Sequence, residues 1–125
     1  MPYSTFEELE VYRLAREFRK KIYALVNKLP RKEEYNLGAQ TRRASTSLTN
    51  NIAEGHGRFH YQENIQFCRQ SRGSLAELMD DINICLDANY FSESYLNELK
   101  NDALVLLKSL NGYIAYLRRR KQEDK

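Results

Sequence analysis

Residues 94–120 read SYLNELKNDALVLLKSLNGYIAYLRRR. Leu96, Leu99, Ala103, Leu106, Leu110, Tyr113 and Leu117 recur there at alternating spacings of three and four, the heptad pattern that keeps apolar side chains on one face of a long helix. A helix of this length must bury that face against partners. The rest of the chain supplies three more segments of the same kind.

The first begins at Ser4 and Thr5, where Thr5 and Glu8 have the spacing of a capping box and Glu7, Glu8 and Glu10 favour the positive end of the helix dipole. Val11, Ala15, Phe18, Ile22, Leu25 and Leu29 form its stripe, and Pro30 ends it, predicting a helix over 5–29. The second stripe, through Leu37, Thr41, Ala44, Leu48 and Ile52, predicts a helix over 35–55 with Gly55 and Gly57 as C-cap glycines. Ala39, Ala44, Ser45, Ser47 and Ala53 make it rich in small residues, which let neighbouring helices approach closely and hint at self-association. The third, over 61–89, carries Ile65, Cys68, Leu75, Met79, Ile82 and Leu86, with Leu78 and Cys85 beside them. Its apolar phase is unchanged across Gly73, so one continuous helix is expected, with the glycine at a close contact.

Four helices joined by short connections pack as sequential neighbours. The expected fold is all-α, an antiparallel up-down-up-down four-helix bundle forming one domain over 1–125. One end gathers the start of the first helix, the 55–60 connection and the tail Arg118, Arg119, Arg120 and Lys121. The other holds the basic stretch 28–32 near Asp87 and Glu93.

Composition agrees. Charged residues are 30% of the chain, with only two prolines and five glycines, too few turn residues for a many-stranded β fold. The apolar runs are too short to cross a bilayer, and the acidic N-terminal stretch is unlike a signal peptide, so a cytoplasmic protein without membrane association is expected. Cys68 and Cys85 then read as reduced core thiols. The net charge of +3 is small, but it is unevenly spread: bases dominate residues 13–32 and acids dominate 77–102. Such complementary regions suit neighbouring helices or neighbouring subunits.

No catalytic or metal chemistry emerges from the spacing. The inward Glu-x-x-His pairs of di-iron bundles are missing, and His60 with Glu63 has the reverse order. His56 and His60 are four apart, with Gly57 between them and no third ligand at a convincing spacing. Helical ribonucleases that cut with an arginine followed several residues later by a histidine need a longer gap than Arg58 to His60 and a shorter one than Arg43 to His56. No cofactor is expected, and the chain does not read as an enzyme.

Residues 40–58, QTRRASTSLTNNIAEGHGR, carry a resemblance. With Gln40-x-x-Arg43-Ala44, Asn51-Ile52-Ala53-Glu54-Gly55, Gly57-Arg58 and Gly73-Ser74 with Glu77, the chain resembles the four-helix bundle family of the 23S ribosomal RNA intervening-sequence proteins. More distantly it is similar to the accessory bundle proteins of diversity-generating retroelements. The likeness extends to Phe6-Glu-Glu-Leu9, Leu29-Pro30, Glu34-Tyr35-x-Leu37 and the region from Tyr113 to Leu117. Ser45 and Thr46 depart from it, where smaller or more apolar residues are expected. The resemblance implies a homopentameric bundle, an association with RNA or a ribonucleoprotein, and no attached enzymatic activity.

Two sets of residues are candidates for function. Arg13, Arg16, Arg19 and Lys20, or the tail Arg118, Arg119, Arg120 and Lys121, are candidate nucleic-acid surfaces if the acids leave them unneutralised. Gln40, Arg43, Asn51, Glu54, Arg58, Ser74 and Glu77 form a polar motif that either ties helices together or recognises a partner. Tyr12, Tyr23, Phe59, Tyr61, Phe67, Tyr90, Phe91, Tyr95 and Tyr116 exceed what one bundle core hides, which suggests base stacking or interface burial. The leading expectation is a non-catalytic oligomeric adaptor that binds RNA or an RNA-bound protein. The alternatives are a structural or protein-binding homo-oligomer with no nucleic-acid role and, third, a helical nuclease.

Overall fold

The computed structural model describes residues 5–124. Four helices follow one another: α1 Glu10–Asn27, α2 Leu37–Gly57, α3 Tyr61–Asp87 and α4 Glu93–Glu123. Short 3-10 turns at Phe6–Glu8 and Arg31–Glu33 precede α1 and α2. Each helix packs on its neighbour in sequence, and α1 closes the ring against α4. With connections this short, the order is up-down-up-down.

The apolar stripes form the core. Val11, Ala15, Phe18, Ile22 and Leu25 of α1 are buried, as are Leu37, Thr41, Ala44, Leu48 and Ile52 of α2. On α4, Leu96, Leu99, Ala103, Leu106, Leu110 and Leu117 are buried, but Ile114 takes the central place expected of Tyr113, which lies at the core's edge. The phenol explains the exchange, because a buried hydroxyl needs a partner and Tyr113 reaches one at the edge, the amide of Asn64. On α3, Leu78 and Cys85 are central and Met79 and Leu86 lie at the margin.

The helix ends depart from the expected boundaries. The proposed start at Ser4 lies outside the described residues. Thr5 makes no side-chain cap, and Leu9, in extended backbone and packed on the core, separates the 3-10 turn from α1. Leu29 lies beyond the end of α1 and only partly covers the core. Ser92 does cap α4, accepting from the Tyr95 amide at 3.2 Å.

Three glycine expectations change. Gly55 and Gly57 lie inside α2, and no glycine among the described residues has a positive φ. Gly55 is the glycine crowded against α3: a Cβ there would meet Asn64 Oδ1 at 2.7 Å and Phe67 Cβ at 2.9 Å, while one at Gly38 would meet the Glu33 carbonyl at 2.9 Å. α3 runs unbroken through Gly73, as its phase requires, but Gly73 faces open space and marks no contact.

The uneven charge is partly used within the subunit. Lys21 of α1 meets Asp102 of α4 at 2.8 Å, and this bond raises the lysine pKa. The basic stretch before α2 meets aromatic rings instead of acids: Lys28 lies over Tyr95 and Lys32 over Tyr90.

Candidate functional site

α2 and α3 are joined by polar side chains as well as apolar ones. Asp81, buried on α3, accepts from Gln40 Nε2 at 2.8 Å and from Thr41 Oγ1 at 3.0 Å. Burial raises its carboxyl pKa above the ordinary value, and the two hydrogen bonds oppose that rise. Midway along the seam, Ser74 bonds Ser47 at 2.9 Å, Asn51 donates to the carbonyl and hydroxyl of Ser47, and Ser71 donates to the Leu48 carbonyl at 2.7 Å. Near the α2–α3 turn, Asn64 donates to Tyr113 on α4 at 3.2 Å, and the Cys68 thiol approaches Asn64 Oδ1 at 3.5 Å.

Gln40 and Ser74 of the polar motif therefore hold helices together, whereas Asn51 bonds within α2, to the Ser47 that Ser74 reaches. Glu54 and Arg58 pair with each other at 3.5 Å on the exposed surface of α2, where Arg58 also covers the ring of Phe67. Arg43 and Glu77 are exposed on their helices and take no part in these bonds. Asp81 and Ser71 complete the seam, and Asn64 ties α3 to α4, without having been singled out in the sequence; Thr41 was expected only as part of the α2 stripe. A readable signal existed for Ser71 and Asn64, since the heptad spacing run back from Leu75 lands on both.

The two thiols are buried, and burial pushes Cys68 up to about 12 and Cys85 up to about 11. Neither has the thiolate character that nucleophilic chemistry requires. Among the described residues no group of three His, Cys, Asp or Glu is placed to hold a metal ion, and none of the helices is long and apolar enough to cross a membrane.

The basic residues fall into two groups. On α1, Arg13 donates to the Glu7 carbonyl at 3.3 Å, Arg19 donates to Thr49 at 2.8 Å, and Lys20 pairs with Glu17 at 3.3 Å. Arg16 alone of that set keeps its guanidinium clear of these bonds. At the other site, Arg118 and Arg119 of α4 line a groove of about 440 Å³ with Arg69 of α3. Gln62 and Lys121, bonded to each other, close one side of it. Arg120 turns away, donating to Tyr61 at 3.3 Å and pairing with Glu123 at 3.4 Å. Arg69, Arg118 and Arg119 have no carboxylate partner among the described residues. Arg69 was not anticipated, because nothing in the sequence shows that α3 and α4 bring it beside the tail.

The molecule is thus a four-helix bundle with a polar α2–α3 seam and an arginine groove at one end. The chain belongs to the family of 23S rRNA-intervening sequence proteins, whose model matches residues 7–112. That span holds the whole polar motif together with Arg69, and it stops short of Arg118 and Arg119. No curated protein matches the chain.

Proposed function

We propose that this protein is a non-catalytic, cytoplasmic helical-bundle adaptor that assembles into a homo-oligomer, with five subunits the preferred number, and associates with RNA or an RNA-bound protein. The observation that carries the reading is the convergence of Arg69, Arg118 and Arg119 in one groove, unneutralised by acids. Guanidinium groups in such a groove suit phosphate oxygens. One subunit at +3 attracts a polyanion modestly, and a ring repeats the groove so that linked weak contacts raise the apparent affinity. Support for assembly comes from Leu104 and Val105, adjacent on α4 and more than half exposed, and from the exposed Ile84 on α3.

The test is RNA binding measured as a function of salt. For single strands, the logarithm of the binding constant falls with that of salt by roughly 0.7 per neutralised phosphate. Replacing Arg69, Arg118 and Arg119 together by glutamine should flatten the slope by about 2, whereas Arg13→Gln with Arg16→Gln should leave it nearly unchanged. An unchanged slope in the groove variant would refute the site. Light scattering should give a mass several times 14.8 kDa, lowered by Leu104→Glu with Val105→Glu. The structural homo-oligomer becomes the better reading if the assembly persists and the wild type binds no RNA even at low salt.

A further inference from the structure

After α2, the residue type at the turn runs against its backbone. Phe59 has φ 53 and is 75% exposed. The left-handed region is sterically costly for a bulky L residue. The turn after α3 meets the same demand differently: Ala88 ends the helix and Asn89 follows at φ 58, asparagine being a residue that tolerates this conformation. Arg58 and Phe59 hold the equivalent places after α2. Local geometry favours asparagine or glycine there, and the chain instead places a largely exposed ring at this corner of the bundle.

Phe59 lines two of three linked recesses. One, of about 430 Å³, is lined by His56, Phe59, Tyr61, Tyr113 and Tyr116. A second, of about 350 Å³, continues from Phe59 and Tyr61 to Gln62 and Lys121. Those last two residues also line the third recess, the arginine groove. In the first recess the rings of Tyr113 and Tyr116 lie 16° from parallel with centroids 6.2 Å apart, and Phe59 lies 6.2 Å from His56. The linked recesses run from aromatic faces, past the Asp124 carboxylate that lines the first two, to the unneutralised guanidiniums of the third. Single-stranded nucleic acid is bound by this combination, with bases stacked on rings and the backbone following positive charge. A duplex hides its base faces and cannot use the aromatic part.

We propose that the end of the bundle at the α2–α3 turn binds single-stranded RNA, one base stacking on Phe59 while adjoining phosphates lie along Arg69, Arg118 and Arg119. This deepens the RNA-association reading and rests on it. The test is fluorescence anisotropy with a short labelled oligoadenylate, on the intact oligomer, across a range of salt. Phe59→Ala should weaken binding by about 5- to 150-fold at every salt concentration, since losing one stacked base has an effect of that order, and the salt slope should not change. Phe59→Trp should retain affinity. Phe59→Gly should bind as weakly as Phe59→Ala while melting no lower than wild type, because glycine accepts φ 53 without strain; this separates loss of a ligand contact from loss of fold. A duplex of the same sequence should bind more weakly than the single strand. Wild-type affinity in Phe59→Ala, or equal affinity for the duplex, overturns the stacking site. If the arginine variant still loses binding in that event, RNA association stands without it; if the wild type retains no oligoadenylate at low salt, both readings fall.

Discussion

Removing the Asp81 carboxylate tests whether the α2–α3 seam is held by hydrogen bonding or by charge. Asp81 is 2% exposed and accepts from Gln40 and Thr41 at 2.8 and 3.0 Å. In Asp81→Ala, the buried Thr41 hydroxyl is left without this acceptor, at a cost of about 1–3 kcal/mol. Gln40 is half-buried and can turn toward water, so its lost bond adds only about 0.5–1.5 kcal/mol. The expected destabilisation is therefore roughly 2–4 kcal/mol. Asp81→Asn keeps an acceptor for Gln40 and presents a donor to Thr41, whose hydroxyl can rotate to accept. Its stability should lie within about 1 kcal/mol of wild type.

The pH dependence has a definite sign. Burial raises the Asp81 pKa above its ordinary 3.8, so the unfolded chain releases this proton at lower pH than the folded chain. The contribution of the neutral carboxyl is full below the unfolded value and is lost as pH rises through the folded value. Asparagine does not titrate. The stability of Asp81→Asn relative to wild type should therefore increase across that window and level off above it. Urea titrations followed by circular dichroism, at fixed protein concentration because assembly contributes to stability, measure both effects. If Asp81→Ala matches wild type, or if Asp81→Asn is as damaging as Asp81→Ala, the hydrogen-bond reasoning is wrong.

Gly73→Ala should raise stability by about 1 kcal/mol, since the site is helical and open; a lower melting temperature would show a contact that this geometry lacks. Leu110→Ala, at a fully buried position of α4, should cost about 2–5 kcal/mol in the same denaturation assay.

The helices were legible because their apolar residues keep one period over several turns, and length and loop size then left little choice of topology. Boundaries were less so. Thr5 and Glu8 have the spacing of a capping box, but α1 begins after Leu9, which is extended and packs on the core, and that placement belongs to the tertiary structure. The glycines show the same limit: the spacing pointed to Gly55 as a helix cap and Gly73 as a close contact, and only the packing of α3 against α2 shows that Gly55 is the crowded one of the two. In the polar motif, Gln40 and Ser74 were readable as candidates, whereas Asp81 lay among surface acids in the sequence. The arginine groove was half legible. Arg118 and Arg119 stood out as a run, but Arg69 joins them only through the pairing of α3 with α4.

Gly55 links the seam to the end of the bundle. A Cβ at this position would meet Asn64 Oδ1 at 2.7 Å and Phe67 Cβ at 2.9 Å, so alanine must either push α3 away or turn the Asn64 side chain. The same amide donates to Tyr113 at 3.2 Å, and Tyr113 lines the aromatic recess beside Tyr116. Overpacking of this kind costs about 1–3 kcal/mol, and here the relaxation that relieves it moves a wall of the proposed site. Gly55→Ala should therefore melt lower than wild type and, where it still melts cooperatively, bind oligoadenylate more weakly with an unchanged salt slope, because no guanidinium has moved. Gly57→Ala is the control: it adds a methyl group two residues away into open space and should leave binding intact. If Gly55→Ala melts lower yet binds as tightly as wild type, the Asn64–Tyr113 link does not position the recess, and Gly55 serves the packing of α2 on α3 alone.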